Sequence, residues 1–449
     1  MGRLFGTDGV RGVANTELTG EMTFNLGRAG AYVLSGETGH KPRILVGKDT
    51  RRSGDMLENA LVAGICAAGA EAVLAGVIPT PAVACLVRKY NYDAGVVISA
   101  SHNPAEFNGI KFFNSEGYKL SDAIEDRIER IILDKSEEIP TPTGADVGTV
   151  HHLKTAVDDY VDFALKTINM DLKGLKVVID CANGAASETS AAALRKLGAD
   201  LLVINDNPDG MNINKNCGST HLDMLKHFTV DNHCDIGLAF DGDADRVLAI
   251  DENGELVDGD RCMAIIGLSL KEKNLLKDNT IVATVMSNLG FDVMAKENDL
   301  NIVKTGVGDR YVLEKMIEGD FTLGGEQSGH IIVKMFNTTG DGLVTTLLLL
   351  SVLKESGKSL SELASVMTIF PQVLKNAKVS NDKKYAYRED PIIAGCCNEL
   401  EKAFHGEGRV LIRPSGTEPL VRVMIEGRDQ VYITGKALEL VQIIEERLK

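Results

Sequence analysis

The chain reads as an α/β protein in which three similar α/β domains with mixed, largely parallel sheets precede a smaller C-terminal α+β domain. Three observations lead to that class. At 449 residues the chain exceeds what a single hydrophobic core organises. A pattern of apolar strand, glycine-bearing or small-residue loop, amphipathic helix and second strand recurs three times. Strands that alternate with helices in this way make parallel sheets covered on both faces. After Pro371 the pattern stops and helices and strands mix.

In chain order, the first unit places a strand over 43–46, a loop over 47–54, a helix over 56–68 and a strand over 71–74. The second has a strand over 176–180, a loop over 181–185, a helix near 187–197 and a strand over 200–204. The third has a strand over 280–285, Ser287-Asn288, a helix near 289–297 and a strand over 300–303. Each unit is followed by a segment that begins with Asp, runs through apolar residues and reaches a polar side chain eight positions on. These segments are Asp93 to Ser101, Asp235 to Asp243 and Asp320 to Ser328. Ser101, Asp243 and Ser328 therefore fall just beyond the carboxyl end of a strand, where open α/β sheets bind ligands. The match implies internal triplication. The final segment predicts a helix near 390–404, strands over 409–412 and 420–426, and a helix over 431–448. Expected domains are 1–155, 156–255, 256–370 and 371–449.

Composition narrows the function classes. Hydrophobic content of 44% and charged content of 25% are ordinary for a globular protein. A net charge of −16 argues against non-specific nucleic-acid binding, though a local Arg/Lys cluster can still take an anionic substrate. No apolar run of about 18 residues predicts a membrane span, and residues 1–8 lack the apolar core of a secretory signal. The expectation is a cytoplasmic protein without membrane partners. Eight cysteines, none in a Cys-x-x-Cys pair, read as reduced thiols.

Five stretches carry chemistry. Ser99-Ala-Ser-His-Asn-Pro104 follows the apolar strand 94–98, so Ser101 can stand free at a sheet edge. His102 beside it invites a serine-hydrolase reading, but neighbouring side chains on an extended chain point apart and no Gly-x-Ser-x-Gly elbow occurs. Asp241, Asp243 and Asp245 alternate with small residues before Arg246. They are either Mg²⁺ ligands placed for phosphate oxygens or an acidic turn. Arg413-Pro-Ser-Gly-Thr-Glu-Pro-Leu-Val-Arg422 is either a phosphate cradle or a hairpin loop with surface arginines. Gly6-Thr-Asp-Gly-Val-Arg-Gly12, with Arg11, is equally open and is not a Walker loop. In Gly324-Gly-Glu-Gln-Ser-Gly-His330, Glu326 and Ser328 can receive sugar hydroxyls while His330 binds or shuttles a proton.

Together and in this order, these motifs resemble the α-D-phosphohexomutase superfamily, from Gly6–Gly12 to Arg413–Pro419 and so across nearly the whole chain. The resemblance implies four domains around a central cleft. It implies that Ser101 carries a phosphoryl group and that Ser101, Asp241, Asp243 and Asp245 hold Mg²⁺. It makes Lys111 a proton-transfer residue, with His102, Arg11, Arg246 and His330 as further catalytic groups. Glu326 and Ser328 would contact the sugar. Arg413, Ser415, Gly416, Thr417 and Arg422 would hold the phosphate that is not transferred. The implied reaction converts a hexosamine 6-phosphate to its 1-phosphate, a precursor of UDP-N-acetylglucosamine. Glucosamine or glucose 1,6-bisphosphate would serve as intermediate and activator.

Gln327, the stretch 47–51 and the stretch 307–312 are similar to the amino-sugar branch, which also implies a homodimer. One departure is Lys304-Thr-Gly306, where many relatives place a lysine directly before Val-Gly-Asp. The alternatives are a glucose or mannose phosphate mutase, an Asp-x-Asp phosphatase with Asp241 as nucleophile, and a non-catalytic sugar-phosphate sensor.

Overall fold

The structure is a computed structural model and describes residues 3–6, 8–36, 39–415 and 418–448. The chain divides into two compact units, 1–286 with 300–366, and 287–299 with 367–449.

The larger unit contains three sheets. The first comprises β1 (Val10–Val13), β2 (Arg43–Lys48), β3 (Glu71–Val77), β4 (Ala94–Ile98), β5 (Phe107–Asn114) and β6 (Val150–His152), ordered β1-β5-β4-β2-β3-β6. The second comprises β7 (Lys176–Asp180), β8 (Asp200–Ile204), β9 (Ile236–Phe240), β10 (Val247–Asp251) and β11 (Leu256–Val257), ordered β11-β10-β9-β7-β8. The third comprises β12 (Thr280–Thr284), β13 (Asn301–Thr305), β14 (Leu323–Gly325) and β15 (Ile331–Val333), ordered β13-β12-β14-β15.

One arrangement recurs in all three sheets. Strands β2, β7 and β12 each lie between two parallel partners, and the farther strands β4, β9 and β14 each pair antiparallel with the strand that follows. In each case the polar residue noted in the sequence sits three positions past the strand end: Ser101 after Ile98, Asp243 after Phe240, and Ser328 after Gly325. Every residue of β4, β9 and β12 is buried, as parallel strands covered on both faces require.

Strands β2 and β3 run beyond the expected 43–46 and 71–74. The Lys48↔Ile98 and Lys48↔Val77 pairings extend the ladder through Gly47, a residue with little strand preference of its own. Helix Gly342–Ser356 is buried on nearly all sides, and the Asp341 side chain caps it by accepting from the Val344 N–H.

The smaller unit is built on an antiparallel sheet of β16 (Gln372–Lys378), β17 (Gly408–Pro414) and β18 (Leu420–Gly427), ordered β16-β18-β17. Val421, Val423 and Ile425 of β18 alternate inward and pack with Ile433, Ala437 and Ile444 of helix Gln430–Arg447. Strand β16 has no counterpart in the sequence reading. Helix Leu289–Glu297, expected to cover the third sheet, belongs to this unit. Asn288 Oδ1 accepts from the Phe370 N–H at 2.9 Å, and the Leu289 N–H donates to Glu426 Oε2 at 3.1 Å.

Candidate active site

The loop after β4 turns sharply because Ser101 adopts a left-handed backbone, φ 51°. Its hydroxyl is buried and donates to Asp241 Oδ2 at 2.6 Å. The same turn brings His102 Nδ1 to 3.4 Å from Ser101 Oγ. The extended-chain argument that their side chains point apart therefore fails, because the left-handed residue reverses the chain locally. Burial and the neighbouring Arg246 and Arg11 hold the His102 pKa below its ordinary value, favouring the neutral ring.

Asp241, Asp243 and Asp245 are all buried, and one carboxylate oxygen from each lies within 4.8 Å of the others. Asp241 Oδ1 accepts from the Arg246 N–H at 3.2 Å, and Asp243 Oδ2 accepts from Thr80 Oγ1 at 2.6 Å. Asp243 Oδ1 and Asp245 Oδ1 are buried without a hydrogen-bond donor. Burial and the adjacent carboxylates Asp245 and Asp243 push Asp241 well above the usual range. Burial also acts to raise Asp245, but Lys111 and His330 overcome it and hold that carboxyl low. Unpaired oxygens converging in a buried acidic pocket fit a small hard cation. Gly242 lets this loop approach the serine loop, since a Cβ there would lie 2.6 Å from the Ser101 carbonyl oxygen.

A buried charge network continues from the aspartates. Lys111, only 1% exposed, donates to Asp243 Oδ2 at 2.8 Å and lies 3.1 Å from Asp8 Oδ2 and 3.8 Å from Asp245 Oδ2. Burial opposes its charge, yet Asp243 and Asp8 hold the ammonium protonated far above its usual pKa. Lys119 donates to Asp8 Oδ1 at 2.5 Å and also to Asp309. Asp8 further pairs with Arg11. Arg246 Nε lies 3.7 Å from Asp245 Oδ1.

His330 is buried, with Nδ1 3.5 Å from Asp245 Oδ2 and Nε2 accepting from the Gly340 N–H at 3.1 Å. Nε2 also lies 3.5 Å from Asp309 Oδ2, and although burial opposes its charge, Asp245 and Asp309 hold the ring pKa above its ordinary value. Both ring nitrogens face protein groups: Asp245 on one side, and Asp309 and the Gly340 N–H on the other. Glu326 is half-buried, accepting from the Gly308 N–H at 3.1 Å, and Ser328 is exposed. Gln327 donates its amide to Asp258 Oδ2 at 3.1 Å.

In the smaller unit, Arg413 and Arg422 are direct cross-strand partners on β17 and β18. Burial and the neighbouring Arg422 depress the Arg413 pKa. Arg422 also contacts Glu418 Oε2 at 3.3 Å, and Lys384 Nζ donates to the Ser415 carbonyl at 3.0 Å. Ser415 is buried and its Oγ accepts from the Glu418 N–H at 3.2 Å. Gly416 and Thr417 lie outside the described residues, as does Thr7 of the N-terminal loop.

Sequence reasoning missed Asp8, Arg51, Lys119, Asn214, Asp309 and Lys384. Asp8, Arg51 and Asp309 do stand within motifs that it quoted. No helix of the described residues is long and apolar enough to cross a membrane.

The fold and site define a class. Four models match in turn: phosphoglucomutase/phosphomannomutase alpha/beta/alpha domain I over residues 2–139, domain II over 158–254, domain III over 258–370, and the C-terminal domain over 374–441. The chain belongs to the phosphoglucomutase/phosphomannomutase family.

Within it, the chain is 65% identical over 448 residues to the phosphoglucosamine mutase of Acetivibrio thermocellus and 64% identical to that of Ruminiclostridium cellulolyticum, with 100% of each chain covered. Among solved structures, a Burkholderia thailandensis phosphoglucomutase/phosphomannomutase family protein matches with a TM-score of 0.82 at 23% identity, covering 98% of this chain and 97% of that one. Aspergillus fumigatus N-acetylphosphoglucosamine mutase, solved with GlcNAc-6P and magnesium, matches with a TM-score of 0.70 at 18% identity, covering 99% and 96%.

Proposed function

We propose that the chain catalyses the phosphoglucosamine mutase reaction, interconverting glucosamine 6-phosphate and glucosamine 1-phosphate through a phosphorylated Ser101 and a 1,6-bisphosphate. The observation that carries this reading is the placement of the Ser101 hydroxyl 2.6 Å from Asp241, inside a buried group of three aspartates, in a chain 65% identical to a phosphoglucosamine mutase.

The chemistry balances without a consumed co-reactant. The bond between Ser101 Oγ and phosphorus breaks as the sugar 1-hydroxyl oxygen takes the phosphoryl group and loses its proton. In the second half, the 6-phosphoryl group passes to Ser101 Oγ, the sugar 6-oxygen regains a proton, and the 1-phosphate departs.

Asp241, Asp243 and Asp245 would hold Mg²⁺, with the Ser101 phosphoryl oxygens completing the site. A bound Mg²⁺ supplies positive charge against the charge that develops on the transferring phosphoryl group. Lys111, held protonated, adds fixed positive charge beside the aspartates, and Arg11 and Arg246 orient the phosphoryl oxygens. His102, held neutral, offers a ring nitrogen to the proton that moves. His330 acts behind them as a positioning residue that orients Asp245. Glu326 and Ser328 take the sugar hydroxyls. Arg413, Ser415, Gly416, Thr417 and Arg422, joined by Lys384, bind the phosphate that stays.

Gln327 is held by an amide hydrogen bond to Asp258. Preference for glucosamine over glucose or mannose rests on full-length similarity. A phosphatase with Asp241 as nucleophile has weaker support, because the full-length relatives at 64–65% identity are phosphoglucosamine mutases.

Intact-mass analysis with peptide mapping, followed by a coupled assay on glucosamine 6-phosphate with Mg²⁺ and glucose 1,6-bisphosphate, tests the reading. Phosphate on Ser101 and turnover that Ser101→Ala abolishes are expected. Undiminished turnover in a folded Ser101→Ala variant excludes the phosphoserine route.

A further inference from the structure

Two side chains from different α/β domains grip the backbone of the Ser101 loop. Arg51 is buried, 2% exposed, and spends all five guanidinium N–H groups on protein acceptors. Nε donates to Asp49 Oδ2 at 2.9 Å, and Nη2 donates to the carbonyls of Ser101 at 3.0 Å and Asn103 at 2.8 Å. Nη1 donates to the carbonyls of Phe107 at 3.1 Å and Pro104. Asn214, from the second domain, donates through Nδ2 to the same two carbonyls that Nη2 holds, Ser101 at 2.8 Å and Asn103 at 3.0 Å. Asp49 completes the frame by accepting from Ser99 Oγ at 2.6 Å, while Ser99 Oγ accepts from the Ser101 N–H at 3.0 Å.

This arrangement explains how serine keeps a left-handed backbone that its side chain disfavours. The Ser101 carbonyl is fixed by two donors and its N–H by a third group, so the peptide units on both sides of the residue are locked. That lock aims Oγ at Asp241. Phosphoryl transfer depends on alignment to a fraction of an ångström, and an aligned nucleophile raises the rate of the chemical step without altering substrate affinity. Arg51 and Asn214 touch neither the hydroxyl nor the carboxylate cluster in any of these hydrogen bonds.

We propose that Arg51 and Asn214 are positioning residues for phosphoryl transfer, acting jointly through the Ser101 and Asn103 carbonyls; this rests on Ser101 being the phosphorylated residue. Asn214 is the sharper probe. Asp in its place keeps the size and tolerates the left-handed backbone of that position, φ 58°, but presents carboxylate oxygens to two carbonyls.

The test compares the wild type, Ser101→Ala, Asn214→Ala, Asn214→Asp and Arg51→Lys in the glucosamine 6-phosphate assay, with melting temperatures measured alongside. Both Asn214 variants are expected to lose at least about tenfold in kcat with KM within about threefold of wild type. Arg51→Lys is expected to behave likewise, since one ammonium cannot span four carbonyls. The double variant Asn214→Ala/Arg51→Lys is expected to lose less than the product of the single losses, because the two share acceptors. Should Arg51→Lys fail to fold, the Asn214 pair decides. A smaller loss of kcat in folded Asn214 variants, or a loss matched by a rise in KM, overturns the proposal while leaving Ser101 in place. Equal activity of wild type and Ser101→Ala overturns both readings together.

Discussion

Ser101 Oγ donates to Asp241 Oδ2 at 2.6 Å, joining residues 140 positions apart. Esterifying Oγ removes the proton that Asp241 accepts and returns a carboxylate oxygen to the acidic pocket. It also brings roughly two further negative charges to a site already holding three aspartates. Phosphorylation of this serine therefore sharpens the demand for a cation.

Mg²⁺ is expected to raise the melting temperature of the Ser101-phosphorylated protein more than that of Ser101→Ala. Asp243→Asn should lose most of that rise and most of the turnover. Ligand-linked stabilisation follows affinity for the folded state, so thermal shift across a Mg²⁺ titration reads it directly. Equal shifts in the three proteins would return the aspartates to a structural role.

Lys119 is partly buried between Asp8 and Asp309, from the first and third α/β domains. Burial opposes its charge, and Asp309 and Asp8 hold it protonated far above its ordinary pKa. Lys119→Ala would leave two partly buried carboxylates facing one another, a loss below the roughly 3–5 kcal/mol that breaking a fully buried pair costs. Chemical denaturation should show it as a lower midpoint, with Lys119→Arg retaining most of the stability.

Arg413→Ala is expected to act chiefly on KM for glucosamine 6-phosphate. A charge-assisted contact to a phosphate is worth roughly 1.5–3 kcal/mol, or about 10- to 150-fold. Steady-state kinetics on the variant, with kcat near that of wild type, would confirm uniform binding. An unchanged KM would place the phosphate elsewhere.

Glu125 supplies a pH dependence away from the site. Burial pushes its carboxyl up to about 7 from an ordinary 4.5, against the opposing pull of Arg310. Between those values the folded state holds a proton that the unfolded state has lost, so stability falls as pH rises from 4.5 to 7. Glu125→Gln removes the effect. The melting-temperature difference, variant minus wild type, should grow from pH 4.5 to pH 7.5, and a flat difference would discount the shift.

Much of the scaffold was legible because its signals are local. Strands β4, β7, β8 and β9 and helix Leu289–Glu297 have the limits expected from apolar runs and loop punctuation. The three strand-end positions, Ser101, Asp243 and Ser328, follow from counting residues. Strand β1 was missed because Val10-Arg-Gly-Val13 carries little pattern of its own and is held by pairing with β5. Strand β16 was missed because its pattern makes sense only beside β18.

The order of apolar runs, small-residue loops and acidic or hydroxyl side chains specified three repeated α/β units, a different final segment, and residue types suited to phosphate and metal chemistry. Those properties lie within windows of about ten residues, where backbone preference and side-chain period act. Tertiary structure alone decided which groups meet. It brought Lys111 into the aspartate pocket, turned His330 inward toward Asp245, set Lys119 between Asp8 and Asp309, and placed Asn214 on the Ser101 carbonyl. The physical reason is that a buried charge or strained backbone persists only when partners distant in sequence satisfy it, and packing of the domains chooses those partners.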